Sequence, residues 1–158
     1  TVWSTRRPMR RKAKAMTFSK AEKLADRSLS LLVRVEKAYC EFHNSKYFYF
    51  LPTLSRRNAG AIFNEPPCKC SGALQLCHKI TRKNKALRYD RRNVFSGCSG
   101  SNLWAHYNQL EWDKLWRRMW PEDELYLTHP KFRMPCKRSK EDLIQMAAYF
   151  DFEREELE

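Results

Sequence analysis

The chain has 158 residues, 13% of them aromatic and only four of them glycine, with 31 Lys and Arg against 18 Asp and Glu for a net charge of +13. That length supports one domain with a real core, and the aromatic content argues against a disordered chain. The charge argues against a housekeeping enzyme of small metabolites and points to a polyphosphate backbone or an anionic membrane surface. No run of about 18 apolar residues occurs, so no membrane span is expected.

Residues 1–16 form a basic arm without periodicity, holding Arg6, Arg7, Arg10, Arg11, Lys12 and Lys14, and suited to an anionic partner. No apolar signal core follows it, so an intracellular protein is expected; the acid-free first fifteen residues also fit a transit peptide. A single domain is expected from 17 to 150. Ser19-Lys20-Ala21-Glu22 has the form of a capping box and predicts a helix with Leu24, Ser28, Leu31, Leu32, Val35 and Tyr39 on its apolar face. Its Lys20, Lys23, Arg27, Arg34 and Lys37 read as a solvated face rather than a DNA-reading one. The aromatic run Tyr47-Phe48-Tyr49-Phe50-Leu51 reads as a strand or core segment, with a base-stacking platform as the alternative. A turn at Asn58-Ala59-Gly60 and the stiff Pro66-Pro67 lead to Cys68.

Leu74-Gln75-Leu76 alternates as a strand does and delivers His78. Lys79 to Arg92 then holds seven Lys and Arg and one acid, Asp90. After Asn102 a helix is predicted through Leu103, Tyr107, Leu110, Trp112, Leu115, Trp116 and Met119 to Trp120, where Pro121 stops it. Trp112 and Trp116 lie one turn apart and read as core. A last helix opens at Ser139, with Asp142 completing a capping-box variant, and carries Leu143, Ile144, Met146, Ala147 and Phe150. Residues 151–158 form an acidic tail.

Six cysteines in this spacing read as reduced thiols, some of them on a metal, rather than as a disulfide framework. Cys68, Cys70 and Cys98 supply three thiolates for a structural zinc ion. Its fourth ligand is open among Cys77, His106 and Cys136, because Ser101 stands where a Cys-x-x-Cys pair would place a second cysteine. His78, after a strand and before a basic stretch, occupies the place of a general base facing phosphate. A lone histidine is more often structural, and that alternative stays open. Asn93 and the ligand-type Asn102 at a helix start complete the layout of a small metal-dependent nuclease.

Residues 68–108 resemble the core of the phage NinG/Rap recombination nucleases, a Cys-rich branch of the HNH or ββα-metal superfamily. The resemblance is carried by Cys68 and Cys70, His78, Arg82, Leu87-Arg88-Tyr89-Asp90, Asn93, Cys98, Asn102 and Asn108; its most specific piece is residues 87–93. It implies an α+β fold with a small ββα-metal core at about 66–120, flanked by several helices. The implied activity is endonuclease cleavage of branched DNA, meaning D-loops and four-way junctions, with Mg²⁺ or Mn²⁺ as the catalytic metal. By that resemblance His78 is the general base, Asn93 orients the His loop, Asn102 is a metal ligand, and Arg82 and Arg88 hold phosphate. Lys83, Lys85, Arg91 and Arg92, with Arg10 and Arg11 of the arm, are further candidates for nucleic-acid contact. A homodimer is plausible for an enzyme that must cut two strands.

Three departures from the family pattern stand out: Cys77 in place of a small or acidic residue before the histidine, Ser101 in place of a zinc cysteine, and Asn108 without its preceding Gly. They keep a second reading open, a zinc-stabilised protein that binds nucleic acid or a host machine without cutting. A weaker third reading is an RNA-binding protein.

Overall fold

A computed structural model of the chain describes residues 16–45, 47–48 and 69–158. The basic arm with Arg10 and Arg11, residues 49–51, the turn at 58–60, Pro66-Pro67 and Cys68 lie outside the described residues. The protein is α+β. In chain order its elements are α1 (Phe18–Glu36), α2 (Glu41–Asn44), β1 (Leu74–His78), a 3₁₀ turn (Arg91–Asn93), β2 (Val94–Cys98), α3 (Ser99–Tyr107), α4 (Gln109–Met119), α5 (Pro121–Leu127), a second 3₁₀ turn (Pro130–Arg133) and α6 (Lys140–Glu155). No described helix is long and apolar enough to cross a membrane. The chain divides into two compact units, residues 1–36 with 136–158, and residues 37–135.

In the first unit α1 packs on α6. Thr17 caps α1, its Oγ1 accepting the Lys20 N–H at 3.3 Å, so Ser19 lies inside the first turn rather than at the predicted cap. The buried face is Ala21, Ala25, Ser28, Leu29, Leu32 and Val33; Leu24, Leu31 and Val35 are only half-buried. The predicted face was drawn through the large side chains. The true one runs through two alanines, whose small size lets the backbone of α1 approach Leu143, Ala147 and Phe150 of α6. The capping box of α6 is present as the sequence suggests: Ser139 Oγ accepts the Asp142 N–H at 3.0 Å, and Asp142 Oδ2 accepts the Ser139 N–H at 2.7 Å. The helix runs on to Glu155, so most of the acidic tail is its last turn.

In the second unit β1 and β2 form an antiparallel pair, with Leu74 opposite Cys98 and His78 opposite Val94. α3 follows β2 directly, giving a β-β-α order. Rings fill the core beneath: Trp112 stacks on Phe42 at 4.8 Å between centroids, and Phe95 lies 5.3 Å from Trp112 and 5.7 Å from Trp116. Phe48, from the aromatic run, is buried edge-on to Phe42 at 5.3 Å, in a turn rather than a strand. Gly97 faces this layer; a Cβ there would stand 2.8 Å from Cys77 Sγ.

The long helix predicted from Asn102 to Trp120 is two helices. Asn108 (φ −126°, ψ 53°) leaves the helical region between α3 and α4. Its Nδ2 donates to the Trp104 carbonyl at 2.8 Å, beside the Asn108 N–H that bonds the same carbonyl at 3.0 Å. Its own carbonyl accepts the Trp112 N–H at 2.8 Å and starts α4. Pro121 opens α5 as its first residue, where a missing N–H costs nothing.

Candidate functional site

Two arrangements in the second unit carry chemistry. The first is a sulfur-rich cluster. Cys40 stands at the N-terminal end of α2, and the x-x spacing to His43 brings the His43 Nδ1 within 3.2 Å of the Cys40 Sγ. Cys98 caps α3, its Sγ accepting the Ser101 N–H at 3.4 Å. The Cys98 N–H in turn donates to Cys40 Sγ at 3.3 Å. Cys70, on the exposed approach to β1, completes a group with Cys40, His43 and Cys98 whose ligand atoms all lie within 4.8 Å of one another. A tetrahedron with bonds of roughly 2.0–2.3 Å has edges of roughly 3.3–3.8 Å, so a small contraction closes the group on an ion. Three thiols and an imidazole are a soft donor set that could hold a metal ion such as zinc and suits magnesium poorly.

The electrostatics agree with that fit. Burial pushes the Cys98 thiol up, but hydrogen bonds from the Ser101 hydroxyl and N–H, and from Ser71, outweigh it and bring the group down to about 6. At Cys70 the Gly72 N–H favours the thiolate, yet burial and the neighbouring Cys98 and Cys40 sulfurs leave it raised. The cluster therefore tolerates one thiolate readily and resists a second, which a bound cation would reverse. The cysteines at 40, 70, 77, 98 and 136 are all free thiols.

Of the residues expected on zinc, Cys70 and Cys98 are in the cluster and Cys68 lies outside the described residues. None of the three candidates for fourth ligand is in it. Cys77 is buried, its thiol pushed up to about 12 by burial and then by Cys40 and Cys98. His106 is exposed beside Tyr107, and Cys136 belongs to the other unit. Cys40 and His43 were missed. Their signal, a Cys-x-x-His pair with ligand spacing, is present in the sequence but far from the other cysteines.

The second arrangement surrounds His78, the last residue of β1. Its Nε2 lies 3.0 Å from the Arg88 carbonyl. A carbonyl only accepts, so Nε2 carries a proton, the tautomer with Nδ1 as base when the ring is neutral. Asn93, fully buried, pins the intervening loop: Nδ2 donates to the carbonyls of Ile80 and Leu87 at 2.9 and 3.0 Å, and Oδ1 accepts the Ile80 N–H at 2.6 Å. The Asn93 carbonyl takes the Lys79 N–H at 2.9 Å.

The cations of this loop divide. Arg82, Lys83, Lys85 and Arg92 are exposed and Arg91 is half-buried. Arg88 differs from the expectation: it is 9% exposed, with its guanidinium 5.5 Å from the Tyr89 ring, so it contributes a carbonyl to His78 rather than a surface cation. Lys79 is also withdrawn, paired with Asp113 over the rings of Trp112 and Trp116. Asn102 is exposed in the first turn of α3.

A hard catalytic cation fits poorly here. Cys77 holds the position next to His78 as a buried thiol, a weak ligand for magnesium. Among the described residues Cys40, His43, Cys70 and Cys98 make the one group of three or more His, Cys, Asp or Glu able to hold a metal. Comparison of the chain with protein-family models, with curated proteins and with solved structures finds no match.

Proposed function

We propose that the chain is an HNH-type endonuclease that hydrolyses phosphodiester bonds in DNA, with branched recombination intermediates as its substrates and zinc as a structural ion on Cys40, His43, Cys70 and Cys98. One observation carries the reading: a histidine at the end of β1, its Nε2–H fixed on a loop carbonyl, beside a loop locked by one buried asparagine. A general base must be held in one tautomer and one orientation, and that pairing does both. The exposed cations Arg82, Lys83 and Arg92 on the same loop draw in phosphate. His78 would take the proton of the attacking water as its oxygen bonds to phosphorus and the sugar oxygen leaves. Nuclease activity and the preference for branched DNA rest on the family resemblance as well as on this site.

A second reading is favoured by one specific observation, the buried Cys77 where a metal-binding carboxylate would serve. In that reading the protein binds nucleic acid, or a host machine, without cutting. An assay of the zinc-loaded protein on labelled four-way junctions and D-loops, with Mg²⁺ or Mn²⁺ in turn, separates the two. Cleavage is expected. Tight binding without cleavage under every condition would leave the binding reading in its place.

A further inference from the structure

The second 3₁₀ turn, Pro130–Arg133, has no part in the site as described, yet it is built onto the basic loop. Asn84 makes the joint. Its Oδ1 accepts the N–H groups of Ala86 and Leu87 at 3.1 and 3.3 Å, which shapes the loop, while its Nδ2 donates to the Phe132 carbonyl at 3.2 Å. Tyr126 makes a second joint. Its hydroxyl donates to Asp90 Oδ2 at 2.7 Å, the Arg92 guanidinium lies 4.5 Å from its ring centroid, and the Lys131 ammonium lies 4.8 Å from the same centroid. Lys131 is also 4.7 Å from the Phe132 ring, and its N–H is held by His129 Nδ1 at 3.2 Å.

Two cations drawn to one ring repel each other, and of the two only Arg92 is in an ion pair, with Asp123 at 3.8 Å. Among the described residues Arg82, Lys83, Lys131 and Arg133 form no ion pair, and all four are exposed. Lys131, held by ring contacts and left without a counter-ion, is pre-organised for an external anion, and the unpaired Arg82, Lys83 and Arg133 lie on the two segments that Asn84 joins.

We infer that the phosphate-binding surface is bipartite, with Lys131 and Arg133 of the Pro130–Arg133 turn extending the loop cations Arg82, Lys83 and Arg92, and with Asn84 as the positioning residue that joins the two segments. The inference rests on the nucleic-acid reading above and deepens it. The partner is a nucleic-acid backbone rather than an acidic protein, because the surface continues from the loop whose Arg88 carbonyl holds His78.

The test is fluorescence anisotropy of labelled duplex and four-way-junction DNA with the full chain, zinc-loaded and without other divalent ions, across a salt series. Lys131→Gln/Arg133→Gln should flatten the slope of log affinity against log salt by about 1–2, at roughly 0.9 per lost phosphate contact. Lys114→Gln/Arg118→Gln, the same change in net charge on α4, should flatten it less. Asn84→Ala changes no charge, yet should weaken binding several-fold and reduce the slope, with its melting curve showing that the protein is folded. A Lys131/Arg133 double variant indistinguishable from the α4 control, while Arg82→Gln/Lys83→Gln does flatten the slope, would overturn the bipartite surface and leave the nucleic-acid reading standing. No salt-dependent DNA binding by the unaltered protein would remove both, and binding of polyglutamate in its place would mark the surface as a protein-docking one.

Discussion

Ser101 Oγ lies 3.4 Å from Cys40 Sγ and 3.4 Å from Cys98 Sγ, so a serine occupies the corner beside two of the sulfurs in the cluster. Cys70 reaches the same cluster from the loop before β1. The cysteine missing at 101 is thus answered by Cys40 and His43 of a separate segment. This gives a direct test of the metal centre.

Protein loaded with zinc should carry about one ion per chain by metal analysis, and Cys98→Ser should lose it. The accompanying fall in stability should be several kcal/mol, since zinc held at a site of this kind is coupled to folding at roughly 10 kcal/mol or more. Cys70→Ser should weaken zinc binding, and adding Ser101→Cys to it should restore about one ion per chain. Failure of the double variant to recover zinc would show that position 101 is no ligand corner.

Gly97→Ala should destabilise the protein by about 1–3 kcal/mol, the usual range for an overpacked core. Its Cβ would meet Cys77 Sγ at 2.8 Å and the Phe42 ring at 3.4 Å. Chemical denaturation checks this, and adding Cys77→Ala should recover part of the loss. An unchanged midpoint for Gly97→Ala would contradict the packing described.

Tyr126 gives a pH-dependent prediction. The hydrogen bond to Asp90 raises its pKa above 10, burial and the Asp90 charge add to this, and Arg92 opposes it. A group raised in the folded state stabilises fully below its unfolded pKa and loses that contribution as pH rises through the folded value. Tyr126→Phe should therefore cost about 0.5–1 kcal/mol near neutral pH, at the low end for a hydrogen bond that solvent reaches. The gap between the two proteins should close above pH 10. A gap independent of pH would mean that the hydroxyl bond is not its source.

The parts of the fold that were legible in the sequence are those set by local pattern. The alternation at 74–76 marked β1, and Ser139 with Asp142 marked α6. The burial of Ala21 and Ala25 was not legible, because small residues carry little hydrophobic signal even where close helix packing needs them. The break at Asn108 was hidden because the apolar spacing continues through it, while the turn is made by the backbone of Asn108 and its side-chain bond to the Trp104 carbonyl. Cys70, Cys98, His78 and Asn93 could be picked out from residue type and spacing. Cys40 and His43 have ligand spacing too, but nothing in the sequence joins them to the other cysteines, since that depends on α2 folding against β2, where Glu41 Oε2 accepts the Ser96 N–H at 2.8 Å. The withdrawal of Lys79 and Arg88 from the surface was equally invisible, for a charge run does not say which cations turn inward.

The most direct test of the account is single-turnover cleavage of a labelled four-way junction by the unaltered protein and by His78→Ala, with junction binding measured in parallel. Loss of the proton acceptor should cut cleavage by about 10²–10⁴-fold while binding stays within a few-fold. Asn93→Ala should lower cleavage less and destabilise the protein by about 2–4 kcal/mol, because it leaves the Ile80 and Leu87 loop groups unpaired. Cleavage by His78→Ala at the rate of the unaltered protein would contradict the assignment of His78 as the base, and with it the central claim.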